Sequence, residues 1–410
     1  MKIPTQAKTG LEWPPVGRSR VARLPGFAPS QAPQSAHRED EGEHPSHAER
    51  VKRPDEQEGW AGPCDLAVKD ASRSDHVDDR HAQPEDRSDE HDDVPRPPFG
   101  EHQRPGIHRL VQYHEWWKAG LLDPTGRPIV VEETAFAAKV DGGQTFGPVV
   151  GGFAARVAIK KAQESGIGIV TVRRSTQVGR LADYAEAIQQ AGLIGLVTVN
   201  DCGGGQCVVP WGGMEPRLAT NPVAVGIPGG NGPGILFDFA TSAAAFGKVR
   251  QLLFRGEPTP PGWLLDASGS PSTNPSCLFA EPRGALLPAG GHKGYGLSLA
   301  VEVLSGILSG AGFSSPGPAP EHLNGMFILA LNVAWFVPID QFREQVDQLT
   351  AYIKSAKPVP GGSSVQIPGE PDRVEAARRA REGIPFSEQA WEKVAAVLQE
   401  LDLDADLPPA

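Results

Sequence analysis

The sequence predicts an α+β fold: a mixed sheet with helices, a helical part drawn from the two ends of the body, and a disordered-like N-terminal segment. Three observations carry this. After Gly106, strand-like apolar runs and helix-period runs are interspersed, without the tight βαβαβ alternation of a doubly wound sheet. Residues 1–105 show neither period. The glycine-rich run Gly290-Gly291-His292-Lys293-Gly294-Tyr295-Gly296 opens an apolar helix that extends towards Phe313. The parts expected are 1–105, aperiodic; 106–135 with 335–402, helical; and 136–334, α+β.

Residues 31–105 hold 20 acidic and 10 basic residues, but only seven large apolar ones: Val51, Trp60, Leu66, Val68, Val77, Val94 and Phe99. Such a segment cannot bury enough apolar surface to offset its ordering entropy. Nine of the eleven histidines lie before residue 115. The spacing of His44, His47, His76, His81 and His91 matches no standard ligand pattern, and no metal is expected.

From Gly106 the elements follow in order. A helix is expected at 107–119, with Ile107, Leu110, Val111, His114 and Trp117 on one face. Asp123 to Pro128 is a turn; 129–132 and 137–140 are short strands; a helix at 148–165 ends at Gly166. Strand 167–172, helix 181–190 closed by Gly192, and strand 193–199 come next, then strands 223–227 and 235–242. Residues 258–274 read as a long Pro-rich loop. The helix 297–308 is apolar on most sides, with only a stripe of Ser298, Glu302, Ser305 and Ser309, so it is expected in the core. It is too short to span a bilayer. Strand 326–333 and helices 340–354, 372–382 and 387–401 complete the chain.

Composition excludes more than it assigns. The net charge of −11 comes mostly from 31–105, and no basic patch points to nucleic acid. Cys64, Cys202, Cys207 and Cys277 form no CxxC pair, and the N-terminus lacks an apolar signal core. A reduced, cytoplasmic protein is expected. No GxGxxG follows a strand and no P-loop frame surrounds Lys293, so neither a Rossmann site nor a P-loop is supported. Lys293 on a glycine loop at a helix N-terminus suits an anionic group such as a phosphate. The alternative is a plain Gly-rich turn with a surface lysine.

Several segments, in order, resemble the type 2 malate/L-lactate dehydrogenase family. They are Pro210-Trp-Gly-Gly213, Thr220-Asn-Pro-Val-Ala-Val-Gly-Ile-Pro228, Phe237-Asp-Phe-Ala-Thr-Ser242 with Gly247-Lys248-Val249, Pro261-Gly-Trp263 with Asp266, Gly290–Gly296, and Pro368-Gly-Glu370. The resemblance covers roughly 106–401. It implies hydride transfer between NAD or NADP and a 2-oxo or 2-hydroxy acid, or a related imine, on a non-Rossmann fold, in a homodimer. It implies cofactor contacts at Asp238, Phe239, Ala240, Lys293, Gly294, Gly369 and Glu370, with 136–334 as the NAD(P)-binding part and the helical part on the substrate side. Arg109, in Gly106-Ile-His-Arg-Leu110, stands where the family has its substrate-side arginine, suited to a carboxylate. No nucleic acid or membrane partner is implied.

The proton-handling residues depart from the family. Its Asp-Ser-His-Gly pattern reads Gln103-Arg104-Pro105-Gly106 here, and its Ser-Asn-His-x-Gly-Arg pattern reads Ser175-Thr176-Gln177-Val178-Gly179-Arg180. Glutamine can hydrogen-bond a carbonyl but exchanges no proton at neutral pH. His108 neighbours Arg109 but points about 100° away on a helix; His292 reads as a loop histidine, and His322 is the other one left. Weak or absent turnover is expected, or else an inactive NAD(P)-binding or dimerising remnant. Residues 1–105 stand where family helices would lie, as expected of a stretch translated out of frame or replaced. Upstream frames encoding no helix pair ending in Ser-His-Gly would count against that.

Overall fold

The computed structural model of the 410-residue chain describes residues 106–315, 323–384 and 388–403. The expectations for 1–105, Pro105 included, and for His322 fall outside these residues, as does the His108 side chain.

The body is mixed α+β. Helix α1 (Gly106–Lys118) leads through the Asp123 turn to strands β1 (Ile129–Glu133) and β2 (Ala137–Asp141). Helix α2 (Gly147–Ser165) carries Pro148 in its first turn and closes on Gly166 at φ 82°, the left-handed cap that glycine supplies. Then come β3 (Ile167–Ser175), α3 (Ala182–Gln190), β4 (Leu193–Asp201), β5 (Val223–Ile227) and β6 (Ile235–Phe239). Helix α4 (Phe246–Arg255) has no counterpart in the sequence expectations. The expected Pro-rich loop carries two-residue strands β7 (Leu264–Leu265) and β8 (Pro271–Ser272), and β7 pairs on one side with β8 and on the other with β9 (Ala285–Leu286). Two residues are too few to show a period. Helix α5 (His292–Val301) continues as a π-helical turn, Glu302–Ile307. Strand β10 (Asn324–Asn332) and helices α6 (Ile339–Lys354), α7 (Glu370–Glu382) and α8 (Glu388–Glu400) follow, with α8 packed on α1.

The main sheet has seven strands in the order β1-β2-β3-β10-β4-β5-β6, antiparallel except for the β2–β3 pair. Side chains alternate faces along each strand. Val170, Val172, Val197, Val199, Met326 and Ile328 face α2 and α3 and form the core. On the opposite face, Thr198 and Asn200 of β4 meet the π-helical turn. Close approach is built in: a Cβ at Gly226 of β5 would lie 2.4 Å from the Ala185 carbonyl oxygen of α3.

The helix expected in the core is turned the other way. Its polar stripe faces inward: Ser298, Glu302 and Ser305 are buried. Most of its apolar side chains face out, with Leu297, Leu299, Val303, Ile307 and Leu308 exposed, while Val301 is buried. Periodicity identifies the two faces but not which one is covered. Hydrogen bonds to Thr198, Asn200 and Asn221 draw the polar stripe in, and the described residues leave those five apolar side chains exposed.

Candidate functional site

On α1, Arg109 and Tyr113 are four residues apart and share a face. Tyr113 packs edge-on against Phe146, with ring centroids 5.4 Å apart, and against Trp116 at 5.8 Å. Its hydroxyl donates to the main-chain carbonyl of Gln177 at 3.2 Å. Burial pushes the Tyr113 phenol above its ordinary pKa, and the Arg109 charge opposes this in part. The phenol is therefore neutral and a donor. Arg109 donates to Gln112, and among the described residues no carboxylate pairs with it. Burial holds its guanidinium below its ordinary pKa; the Tyr113 phenol opposes this and the Arg250 charge adds to it. Arg250 of α4 lies over the rings of Phe246 and Phe279, at 5.2 and 5.7 Å. Tyr113 could have been found from its helical spacing to Arg109; Arg250 sits on the helix the sequence did not reveal.

Gln177 follows β3, where two segments lock together. The Thr176 hydroxyl donates to the Thr145 carbonyl at 2.9 Å and accepts the Gly147 N–H at 2.9 Å. Asn324 accepts the Val178 N–H at 3.0 Å. The Gln177 side-chain oxygen is buried with no hydrogen-bond partner, an acceptor without a donor. The two histidines whose side chains are described stand elsewhere. His114 is 3.6 Å from the Glu400 carboxylate, and the His292 ring faces Trp211 at 6.3 Å. Gly147 permits the whole contact: a Cβ there would sit 2.2 Å from the Gln177 carbonyl oxygen. Both sides are backbone, so Gly147→Ala is expected to cost about 1–3 kcal/mol of stability, read as a lowered thermal midpoint. An unchanged midpoint would contradict the close fit.

The cofactor residues implied by resemblance gather around β6. The Asp238 carboxylate accepts the Ala182 N–H at 3.2 Å, at the start of α3. Phe239 is half-exposed beside Phe237, and the strand ends there rather than at Ser242. The chain then turns through Ala240, and Thr241 donates both its N–H (2.9 Å) and its hydroxyl (3.0 Å) to the Thr220 carbonyl. The Ala289 N–H donates back to the Thr241 carbonyl at 2.9 Å. Gly294 seats against this joint, where a Cβ would lie 2.4 Å from the Ala289 oxygen and 2.5 Å from that of Thr241.

Lys293 is exposed and has no acidic partner among the described residues. The N–H groups of Lys293, Gly294 and Tyr295 are taken by the carbonyls of Gly290, Ala289 and Gly291, which leaves the Lys293 ammonium as the uncommitted cation at this helix end. Gly369, at φ 92°, approaches β6 closely; its Cβ would be 2.8 Å from the Leu236 oxygen. Both Glu370 oxygens are engaged, by Lys354 at 2.6 Å and the Ile367 N–H at 3.0 Å. These bonds hold its carboxyl below the usual range.

The structure thus brings Asp238, Phe239, Ala240, Gly369 and Glu370 together, with Lys293 and Gly294 at the end of the same strand. Arg109 and Gln177 meet through Tyr113. The segment from Gln177 to Ala182 joins the two groups. Within it Arg180 pairs with Asp183 at 2.8 Å and approaches Asp372 at 3.8 Å, contacts the sequence did not reveal. Burial raises the Asp183 pKa, with Arg180 opposing. Among the described residues no cluster of His, Cys, Asp or Glu could hold a metal ion, and no helix is long and apolar enough to cross a membrane.

Residues 100–395 match the family model described as malate/L-lactate dehydrogenase. The L-sulfolactate dehydrogenase of Methanothermobacter thermautotrophicus is 36% identical over 307 residues, 74% of this chain and 86% of the relative. The L-lactate dehydrogenase of Cupriavidus necator is 36% identical over 303 residues, 73% of this chain and 86% of the relative. The solved sulfolactate dehydrogenase from Methanocaldococcus jannaschii superposes with a TM-score of 0.65 at 32% identity, covering 73% of this chain and 86% of that one.

Proposed function

Because the chain belongs to the malate/L-lactate dehydrogenase family, we propose that it binds NAD or NADP and grips a 2-oxo or 2-hydroxy acid for hydride transfer, with impaired turnover. On this reading 136–334 carries the cofactor, and 106–135 with 335–402 form the substrate side. The observation that carries the reading is Arg109: a largely buried guanidinium without a carboxylate partner among the described residues, placed beside Gln177 by Tyr113. Such a cation suits an anionic substrate group.

The residues around β6 fit a dinucleotide. Lys293 offers an uncommitted ammonium, and Gly294 and Gly369 let backbone pass close. When bound, NAD(P) supplies or accepts the hydride at the substrate's C2. Arg109 holds the carboxylate and thereby fixes the 2-oxo group. Tyr113, by holding the Gln177 carbonyl, sets the position of the Gln177 amide. That amide can donate a hydrogen bond to the 2-oxo oxygen but delivers no proton. Slow turnover follows, because general acid catalysis contributes about 10²–10⁴-fold. The test is NADH and NADPH oxidation with oxaloacetate and with pyruvate. Rates typical of an intact dehydrogenase would contradict the impairment.

A second reading, a non-catalytic NAD(P)-binding or dimerising remnant, is favoured by the same Gln177. We assign a homodimer to the exposed apolar face of α5 and its π-helical turn, which the described residues leave uncovered. Light scattering should give twice the chain mass; a single-chain mass would contradict it. The free cysteines Cys202, Cys207 and Cys277 suit the reduced, cytoplasmic setting we propose, to be checked by cell fractionation.

A further inference from the structure

We infer that Glu302 is a positioning residue for the proposed cofactor cleft, acting through Asn221 and Thr220 on the end of β6. Its functional consequence rests on the NAD(P) reading above. Glu302 is 5% exposed, where α5 passes into the π-helical turn. One carboxylate oxygen accepts from the Asn221 amide at 2.9 Å and the Ser314 hydroxyl at 2.7 Å. The other accepts from the Asn200 amide at 2.9 Å and the Ser314 N–H at 3.1 Å. No described lysine or arginine pairs with it. A buried carboxylate is costly unless its acceptor sites are filled, and here neutral donors fill them. A π-helical turn inside an α-helix often marks a functional site.

What the carboxylate holds is strained. Asn221 is 1% exposed and sits at φ 37°, a conformation costly for a residue with a side chain. Its amide also donates to Ser298, at 2.9 Å to the hydroxyl and 3.3 Å to the carbonyl. These contacts over-determine the strained residue. The adjacent Thr220 carbonyl takes both donors of Thr241, and Thr241 in turn receives Ala289 and faces Gly294. Glu302 is therefore connected to both parts of the cleft, the Asp238–Ala240 segment and the Lys293–Gly294 loop.

The packing leaves little slack. A Cβ at Gly306 would lie 2.1 Å from the Gly312 oxygen and 2.4 Å from the Asn200 amide nitrogen. A Cβ at Gly325 would lie 2.2 Å from the Ser305 oxygen and 2.7 Å from the Asn200 amide oxygen. Asn200 is thus clamped between two glycines and presents its amide to Glu302. In Glu302→Gln the new NH₂ faces a donor, the hold on Asn221 weakens, and fewer molecules keep a competent cleft. The apparent Kd for the dinucleotide then rises in inverse proportion to that fraction.

The test uses the full chain, titrating NADH and NADPH by fluorescence and following hydrogen exchange at the Thr241 amide. Glu302→Gln is expected to raise the Kd about tenfold and to deprotect Thr241, and Glu302→Asp, which keeps a carboxyl group, to recover part of both. Thr198→Ala removes the hydroxyl bond to Ser305 (2.7 Å) on the same helical turn. It should lower the thermal midpoint without moving the Kd, as a merely structural loss would. If Glu302→Gln does not fold, Ser314→Ala takes its place, with about a threefold rise in Kd. A folded Glu302→Gln or Ser314→Ala chain that binds with unchanged Kd overturns the inference. If the unmodified chain binds neither dinucleotide, the proposed function falls on its own. Thr241 exchange then decides this inference: loss of protection in the variant supports it, and unchanged protection overturns it.

Discussion

Gln177→His is expected to raise NAD(P)H oxidation with oxaloacetate or pyruvate by about 10²–10⁴-fold, the usual contribution of a positioned general acid. The expectation follows from geometry as well as resemblance. The Gln177 side-chain oxygen is buried and unpartnered, and its backbone is fixed by Tyr113 on one side and by the Thr176–Gly147 contact on the other. The substitution leaves those backbone contacts in place and supplies a group with a pKa near neutrality. Activity should then fall as the imidazole loses its proton with rising pH in the reductive direction. Pairing it with Pro105→His, the other family position lacking its histidine, tests whether one donor suffices. No gain in either variant, with NADH binding intact, would favour the inactive remnant.

Arg109→Ala, made in the Gln177→His background, is expected to lower kcat/KM about 10²-fold or more. Losing one partner of a buried, hydrogen-bonded charge pair costs about 2–5 kcal/mol. The carboxylate would lose its fork and the 2-oxo carbon its orientation, so KM and kcat should both suffer. Arg109→Lys should recover little, because an ammonium cannot hold a carboxylate through two parallel bonds. Dinucleotide affinity should not change, since Lys293 and the β6 residues lie in the other group. A variant that loses NADH binding along with turnover would show that Arg109 belongs to the cofactor side instead.

Long elements were legible because their periods are long. The α2 helix runs from Gly147 to a Gly166 cap, and β3, β4 and β10 show continuous apolar runs. Helix α4 is short: Phe246, Val249 and Leu253 keep a helical spacing, but over only 10 residues, fewer than the window in which a period is read with assurance. The orientation of α5 is hidden from the sequence for a different reason. Its inward stripe depends on Thr198, Asn200 and Asn221, remote in sequence, and no local pattern announces them. Arg109 and Gln177 came from resemblance, and the structure adds why they meet. Tyr113 was available from spacing alone; the Glu302 network was not, because a lone glutamate in a serine-rich stripe reads as a solvated face.

The central claim is that the cofactor half remains competent while the proton-handling half does not. Fluorescence titration of the full chain with NADH and with NADPH tests it most directly. Saturable binding of at least one dinucleotide is expected, with a Kd in the range of about 1 μM to 1 mM usual for enzyme ligands. Lys293→Ala should weaken it about tenfold through loss of a charge-assisted contact. No saturable binding of either dinucleotide by the folded chain, or binding indifferent to Lys293, would contradict the account.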